Sequence, residues 1–485
     1  MNNSNAELLE IKNKLTNLPF LEEDSLNDLA KEFSFVQRSN NRLSGSVFFR
    51  LMAIEYSQNK ANSLEALCDI LSMINPDSEM TPQALNQKIN CQNAVKFLKR
   101  IFELTLRHHH QISHTSKIAD TLLKAFEPFG NVYLQDSTQM ELAEQLSEVF
   151  RGSGGSASKA GLKIDLIYEY IHHELTDMIV SQANVSDQKR SSNILKHLKE
   201  GDLVIRDLGY FTFDVFRKIA ECGAFFLTRH KSNCNVYLSD QEDTDPIDLG
   251  KYLKKNMKDK NVIELNVFLG GKEKLPCRMV FYRMPEDVVN ERLRKAKKNA
   301  KKKGVTLSKK YLALLQFGLY LTNVSREVFP VVIIGTIYRL RWQIELIFKQ
   351  WKQLFQINVM VGSRQERIYC LIYARLTLIL IATAIYSAGA IYEMNQHNRE
   401  VSPVKLIQWL QRYRRMGNAI LFNSIGNLLD ELITAIPKLL LKQKNKKKKT
   451  TLELIQEGCP YLDSFQNRQN SNRDVQNSDI HRKIA

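Results

Sequence analysis

The sequence predicts an α/β fold: a sheet-based core interrupted by a mixed, mainly β insertion subdomain, with helical N-terminal and C-terminal regions. Three observations predict it. Between about residues 129 and 229, short apolar strands come first as a set of three and then alternate with helices. A long interval with its own strands and a very basic helix separates this stretch from a later strand that can rejoin the sheet. Both ends of the chain carry apolar residues at helical spacing. The resulting division is 1–127 (helical), 128–229 (core, first part), 230–316 (insertion), 317–392 (core, second part) and 393–485 (helical, with a basic run and a polar tail).

In the first region, Phe48 to Tyr56 and Leu64 to Met73 have helical periodicity. Thr81 is placed to cap a helix with Pro82 at its first position. Ala94 to Leu104 is a second amphipathic segment after a turn at 90–93. This pair reads either as a DNA-reading helical motif or as part of a plain bundle. In the core, Val132 to Gln135 is a short strand ending in Asp136, and Leu162 to Tyr170 and Asp177 to Gln182 are strands. Ser186 to Glu200 is a helix capped by Ser186 or Asp187. Leu203 to Arg206 is a strand ending in Asp207, Phe213 to Cys222 a helix, and Ala224 to Thr228 a strand. The order β-β-β-α-β-α-β matches the ribonuclease H-like fold, in which the first and fourth strands lie side by side, so Asp136 and Asp207 become neighbours. Further on, Val262 to Leu269, Arg278 to Arg283 and Gly318 to Asn323 are strands, and Pro285 to Lys303 is a basic helix. Pro403 to Tyr413 and Ala419 to Ala435 are helical, Lys442 to Lys449 is a basic run, and the Asn-, Gln-, Ser- and Arg-rich tail has a disorder-type composition.

The net charge of +17, from 69 Lys and Arg against 52 Asp and Glu, favours a polyanionic partner; charge serving solubility is the alternative. Seven scattered cysteines without a CxxC pair indicate a reduced compartment, with neither a disulfide framework nor a zinc site. The first residues lack the basic and apolar regions of a signal peptide. Leu376 to Tyr392 is apolar and about as long as the shortest membrane span, and it reads as a buried core helix beside Arg375.

The most informative stretch is Tyr338 to Lys352. Read as one helix at about 100° per residue, it groups Tyr338, Arg341, Glu345 and Lys352 on one face, with Leu340, Ile344, Ile347, Trp351 and Leu354 on the other. Trp342 borders the polar face and is read as core packing; so is Trp351. Phosphodiester cleavage requires an activated oxygen nucleophile and a stabilised leaving oxygen, which paired Mg²⁺ ions on a few carboxylates can supply. Asp136 and Asp207 at strand ends, with Glu345 from a helix, would form such a cluster. His108 to His110 with His114 lacks partner ligands and reads as a surface tract, and Gly152 to Gly155 lacks the GK[ST] ending of a phosphate loop and reads as a turn.

The spacing of Tyr338, Arg341, Glu345 and Lys352 (Tyr, two residues, Arg, three residues, Glu, six residues, Lys) resembles the signature of the bacterial insertion-sequence DDE transposases called the insertion sequence four family. Gln135-Asp136-Ser137-Thr138 and Arg206-Asp207-Leu208-Gly209-Tyr210-Phe211 resemble that family's two Asp motifs, and the likeness spans about residues 80 to 390. The family carries a mainly β insertion between the second Asp and the Glu; the interval here is long enough for one, although it is partly helical and very basic. The resemblance implies cut-and-paste transposition in the bacterial cytoplasm, at the nucleoid. Asp136, Asp207 and Glu345 would be the catalytic residues and ligands of two Mg²⁺ ions, with Mn²⁺ able to substitute. Tyr338, Arg341 and Lys352 would contact DNA, and the chemistry would pass through a DNA hairpin. The implied partners are transposon-end DNA, target DNA and a second copy of the chain, with no membrane. The helix Glu291 to Lys303 and the run Lys442 to Lys449 are candidate phosphate contacts or solvated charge. A transposase-derived DNA-binding protein without turnover, or a general nuclease of the same fold, are the alternatives.

Overall fold

The computed structural model describes residue 13 and residues 18–37, 43–56, 63–113, 126–154, 158–257, 260–271, 274–412, 415–416 and 425–443. His114, most of the run Lys442 to Lys449, Cys459 and the polar tail lie outside them. The chain divides into two compact units: Met1–Asp120 with Ser137–Val185 and Ile344–Lys444, and Thr121–Asp136 with Ser186–Gln343 and Asn445–Ala485. Nine strands occur among the described residues: β1 (Val132–Glu141), β2 (Gly161–Glu169), β3 (Glu174–Gln182), β4 (Leu203–Arg206), β5 (Phe225–Arg229), β6 (Val236–Tyr237), β7 (Val262–Leu269), β8 (Leu275–Arg283) and β9 (Phe317–Thr322).

In the second unit the strand order is β1-β4-β5-β9-β8-β7-β6. β1, β4 and β5 run parallel, whereas β9, β8, β7 and β6 add antiparallel. β1 and β4 are side by side, as the β-β-β-α-β-α-β order requires. The first strand is longer than the sequence suggests: it continues through Asp136 to Glu141. The polar run Ser137 to Glu141 hides a strand because Thr138 and Met140 alternate inward. The helix expected over Ser186 to Glu200 is instead one α-turn, Asp187–Arg190, capped by Ser186 Oγ, followed by the 3-10 segment Ser191–Lys196. Arg206 explains the change. Its guanidinium takes the carbonyl of Ser191, which a regular helix would bond to the amide four residues on.

The inserted strands extend this same sheet, since β8 pairs with β9 from Arg278↔Thr322 to Arg283↔Phe317. Arg278 fixes the junction, donating to Glu264 at 2.7 Å, to the carbonyl of Val324 at 3.2 Å and to that of Phe329 at 2.8 Å. The basic helix Glu286–Lys303 follows β8 and stops at Gly304, whose φ of +64° suits a glycine C-cap.

The first unit holds the strand order β3-β2-β1 and is otherwise helical. Thr81 Oγ1 accepts from the amide of Ala84 at 3.2 Å, capping the helix Pro82–Ile89 as its sequence predicts. Arg367 donates to Asn86 at 2.6 Å, and Cys370 Sγ to the carbonyl of Ile89 at 3.5 Å. The helical pair is therefore tied to the helix Gln365–His397. That helix is long and apolar enough to cross a membrane, but 89% of its most apolar window is buried in the protein. Core packing accounts for its composition. Arg375 within it donates to the carbonyls of Gln356, at 2.9 Å, and Val359. Burial pulls its guanidinium down to about 10.

The second amphipathic segment runs from Gln92 to Ser113 and takes in the histidines. His109 is buried, contrary to a surface tract. It falls on the stripe of Leu98, Ile101, Phe102 and Thr105, and its Nε2 accepts from the amide of Leu175 at 3.0 Å. Burial lowers its pKa to about 3.

At the β2–β3 turn, the Glu169 carboxylate accepts from the amides of Ile171 and His172, at 3.0 and 2.6 Å, and lies 2.9 Å from His172 Nδ1. Glu174 is buried beside it, with His110 3.9 Å away. Burial, then the charge of Glu169, raises the Glu174 carboxyl to about 7. A carboxyl raised in the folded state stabilises while protonated, and that contribution is lost as pH rises through about 7. Glu174→Gln is therefore expected to raise the melting temperature by at least about 3 °C more at pH 8 than at pH 5. Scanning calorimetry at both pH values measures this, and an equal effect at the two would refute it.

Candidate active site

The register of the parallel strands builds the site. Gln135 on β1 pairs with Arg206 on β4, and Ile205 on β4 pairs with Leu227 on β5. One residue further along each strand, Asp136 and Asp207 stand side by side; two beyond Leu227, Arg229 joins the same row. Neighbouring strands are about 4.8 Å apart, so these side chains share one small patch at the carboxyl end of the parallel strands. Open α/β sheets present their sites at that edge. Alternation sends the preceding residues to the opposite face. There, fully buried Arg206 donates to Gln135 Oε1 at 2.8 Å, and Gln135 Nε2 donates to the carbonyl of Arg190 at 3.1 Å. The acidic row rests on this buried polar layer.

Two arginines face the carboxylates. Arg229 Nη2 lies 3.2 Å from Asp207 Oδ1. Arg341 spans both acids, with Nη1 3.4 Å from Asp136 Oδ2 and Nε 3.9 Å from Asp207 Oδ1. The side chains of Asp136 and Asp207 are 20% and 35% exposed, so a ligand can still reach them. Burial pulls Arg229 down, but the Tyr338 phenol and the Asp207 carboxylate outweigh it and hold the guanidinium above its ordinary range.

The single helix expected through Tyr338 and Lys352 is two helices, Val331–Tyr338 and Arg341–Leu354, joined at Arg339-Leu340. Across the joint the amides bond three residues back: Arg339 to Thr336 at 3.1 Å, Leu340 to Ile337 at 2.9 Å, and Trp342 to Arg339 at 2.9 Å. Leu340 in the joint is fully buried. Tyr338 is 7% exposed. Its hydroxyl donates to the carbonyl of Arg206 at 3.3 Å, its ring lies 5.2 Å from that of Tyr320, and the Arg229 guanidinium sits over it at 5.8 Å. Burial raises the phenol to about 12 despite the opposing Arg229. Tyr338 thus holds the peptide that carries Asp207. Trp342 is 54% exposed rather than core, because the same joint leaves it on the outer side; Trp351 is buried as its spacing predicts.

Of the residues singled out in the sequence, Asp136, Asp207, Tyr338 and Arg341 come together around Arg229. Glu345 and Lys352 lie on the helix Arg341–Leu354, one and three turns beyond Arg341, on the face Arg341 begins. Among the described residues, no group of three or more His, Cys, Asp or Glu is gathered to hold a metal ion. The donor chemistry of Asp136 and Asp207 nevertheless suits a hard divalent cation: both offer carboxylate oxygens, and a positive guanidinium already bridges the point where they converge. Arg229 and Arg206 were missed in the sequence, although both are charged residues in the last positions of short apolar strands, an unusual place for them.

Comparison with known proteins agrees with this geometry. The Transposase DDE domain matches residues 127–381. The chain is 30% identical to the transposase for insertion sequence element IS231B of Bacillus thuringiensis subsp. berliner, over 87% of this chain and 89% of that one. It is 31% identical to the transposase for IS231D of Bacillus thuringiensis subsp. finitimus, over 89% and 92%. To the transposase for IS1151 of Clostridium perfringens it is 25% identical, over 89% and 93%. The match runs through both aspartates and the helix of Arg341, and the chain belongs to the DDE transposases of bacterial insertion sequences, in the insertion sequence four family.

Proposed function

We propose that this chain moves an insertion sequence by cutting both strands at its ends and joining the freed ends to new DNA. The observation that carries the reading is that Arg341 contacts Asp136 and Asp207 together. A guanidinium can leave such a pair for a phosphate without leaving the site. In this reading the core is ribonuclease H-like, supported by the parallel β1–β4 pair and the β3-β2-β1 meander. Asp136, Asp207 and Glu345 would hold two Mg²⁺ ions, or Mn²⁺ in their place. Glu345 is assigned by its motif and by its position one turn after Arg341. When bound, the ions supply the positive charge that makes an attacking oxygen more acidic and steadies the leaving oxygen.

The residues of the chain do the positioning. Arg341 and Lys352 hold phosphate oxygens of the reacting strand, and Arg229 with Tyr338 keeps the Asp207 carboxylate in place. In each step one P–O bond forms and one breaks. Water attacks the phosphodiester at the transposon end and releases a 3′-hydroxyl. That hydroxyl attacks the opposite strand, closing a hairpin and freeing the flanking DNA. Water reopens the hairpin, and the 3′-hydroxyl attacks the target strand. No electrons are transferred, so position and charge suffice. Residues 1–127 are proposed to grip the transposon end, and 393–485 to pair with a second copy in the DNA complex. The protein would act at the nucleoid in the bacterial cytoplasm.

Excision of a DNA segment bearing the element's terminal repeats, in the presence of Mg²⁺, tests the reading. Asp136→Asn, Asp207→Asn and Glu345→Gln are each expected to lower excision at least about a hundredfold while end binding survives. Chelation is expected to stop excision and Mn²⁺ to restore it. Excision persisting in any one variant, or in chelator, would sink the assignment. Arg341→Ala and Lys352→Ala are expected to slow strand joining about tenfold or more, with cleavage products still bound. Joining at wild-type rate in both would remove their phosphate role.

A further inference from the structure

We propose that the basic helix Glu286–Lys303 and the arginines around Tyr320 form a phosphate track for the duplex that adjoins the reacting phosphodiester. The proposal rests on the reading of Asp136 and Asp207 as the reacting centre. The track begins one strand away from them. Arg229, which pairs with Asp207, is the register partner of Tyr320 across β5 and β9. The Tyr320 ring lies 5.6 Å from Tyr282 and 5.2 Å from Tyr338, so it is held in an aromatic cluster. Arg292 roots the basic helix at the start of the same strand, donating to the carbonyls of Leu315 at 3.3 Å and Phe317 at 2.8 Å. Burial raises the Tyr320 phenol, and Arg229, Arg292 and Arg339 all pull it back. The positive charges of Arg229, Arg292 and Arg339 thus all act on Tyr320, and such a field suits a phosphate group.

From Arg292 the helix continues to Lys303. Ala300 is buried, and Val289, Leu293 and Ala296 share its side of the helix. Glu291 engages Arg294 and Lys295. Lys297, Lys298, Lys301 and Lys302 are exposed; Lys298 and Lys302 lie opposite Ala300, with Lys301 and Lys297 on the flank between, and none makes an ion pair with a described residue. Lys302 lies about 15 Å along the axis from Arg292. That is about four to five base pairs of duplex. A solvated surface helix does not require Arg292 to anchor it at the start of the strand whose Tyr320 pairs with Arg229.

The test is a variant carrying Lys297→Gln, Lys298→Gln, Lys301→Gln and Lys302→Gln. Glutamine keeps helix propensity, and circular dichroism checks that the fold is retained. Binding is measured across salt concentrations for two duplexes, a pre-cleaved transposon end and the same end extended by flanking DNA. Each lost phosphate contact lowers the salt slope by about 0.9, so a fall of about 2 to 4 is expected. A fall with the extended duplex alone assigns the track to flanking or target DNA; a fall with both assigns it to the transposon side. Methylphosphonates within about five base pairs of the cleavage point are expected to erase the difference between variant and wild type. An unchanged slope with both duplexes overturns the track, and a difference that survives the methylphosphonates overturns its place beside the reacting bond. Cleavage by Asp136→Asn on the same extended duplex reads the catalytic assignment separately.

Discussion

The parallel register of β1, β4 and β5 is the constraint on which the rest depends. It places Asp136, Asp207 and Arg229 in one row, although they come from strands far apart in sequence. A slip of one residue in any pairing would turn the acids to the face occupied by Arg206 and Gln135. The register is therefore guarded from both faces. On one side Arg206 bonds Gln135 and the carbonyl of Ser191; on the other Arg341 and Arg229 bind the acids. The short helix after Ser186 gives up its regular winding so that this buried guanidinium finds an acceptor.

Charge balance explains why the acids can sit together. Two carboxylates at strand spacing repel one another unless something positive stands near. Arg341 touches both, and Arg229 reinforces one. Neither arginine is locked in the interior: the Arg341 and Arg229 side chains are 15% and 46% exposed. Attraction between half-exposed groups, as in the Arg229–Asp207 pair, is modest and screened by salt.

Much of this was legible in the sequence. The alternating pattern identified β2, β4 and β5 to within a residue and β3 apart from its first three residues, and the order of strands and helices made Asp136 and Asp207 neighbours. What was hidden has physical reasons. β1 passes through Asp136 because inward Thr138 and Met140 sustain it within a polar run. His109 is core because periodicity outweighs its polar character once an amide donates to its ring. The helix joint at Arg339-Leu340 is not visible in composition, since a helix tightened by three-residue hydrogen bonds keeps almost the same amphipathic pattern. Arg229 could have been noticed as a cation ending a buried strand.

Two tasks fall on the two sides of that joint. Before it, Tyr338 points inward and bonds the carbonyl of Arg206, the residue next to Asp207. After it, Arg341 points to the acids and starts the face that leads to Glu345 and Lys352. A phenol buried and raised to about 12 stays neutral across the working pH range, which suits a fixed hydrogen-bond donor better than a mobile ligand contact. Arg229 lies over the Tyr338 ring and against Asp207, so support and chemistry meet in one guanidinium. The inserted strands reach the same point through β9, where Tyr320 meets both Tyr338 and Arg229. Strands hydrogen-bonded into the sheet beside Arg229 are held in fixed relation to the acids.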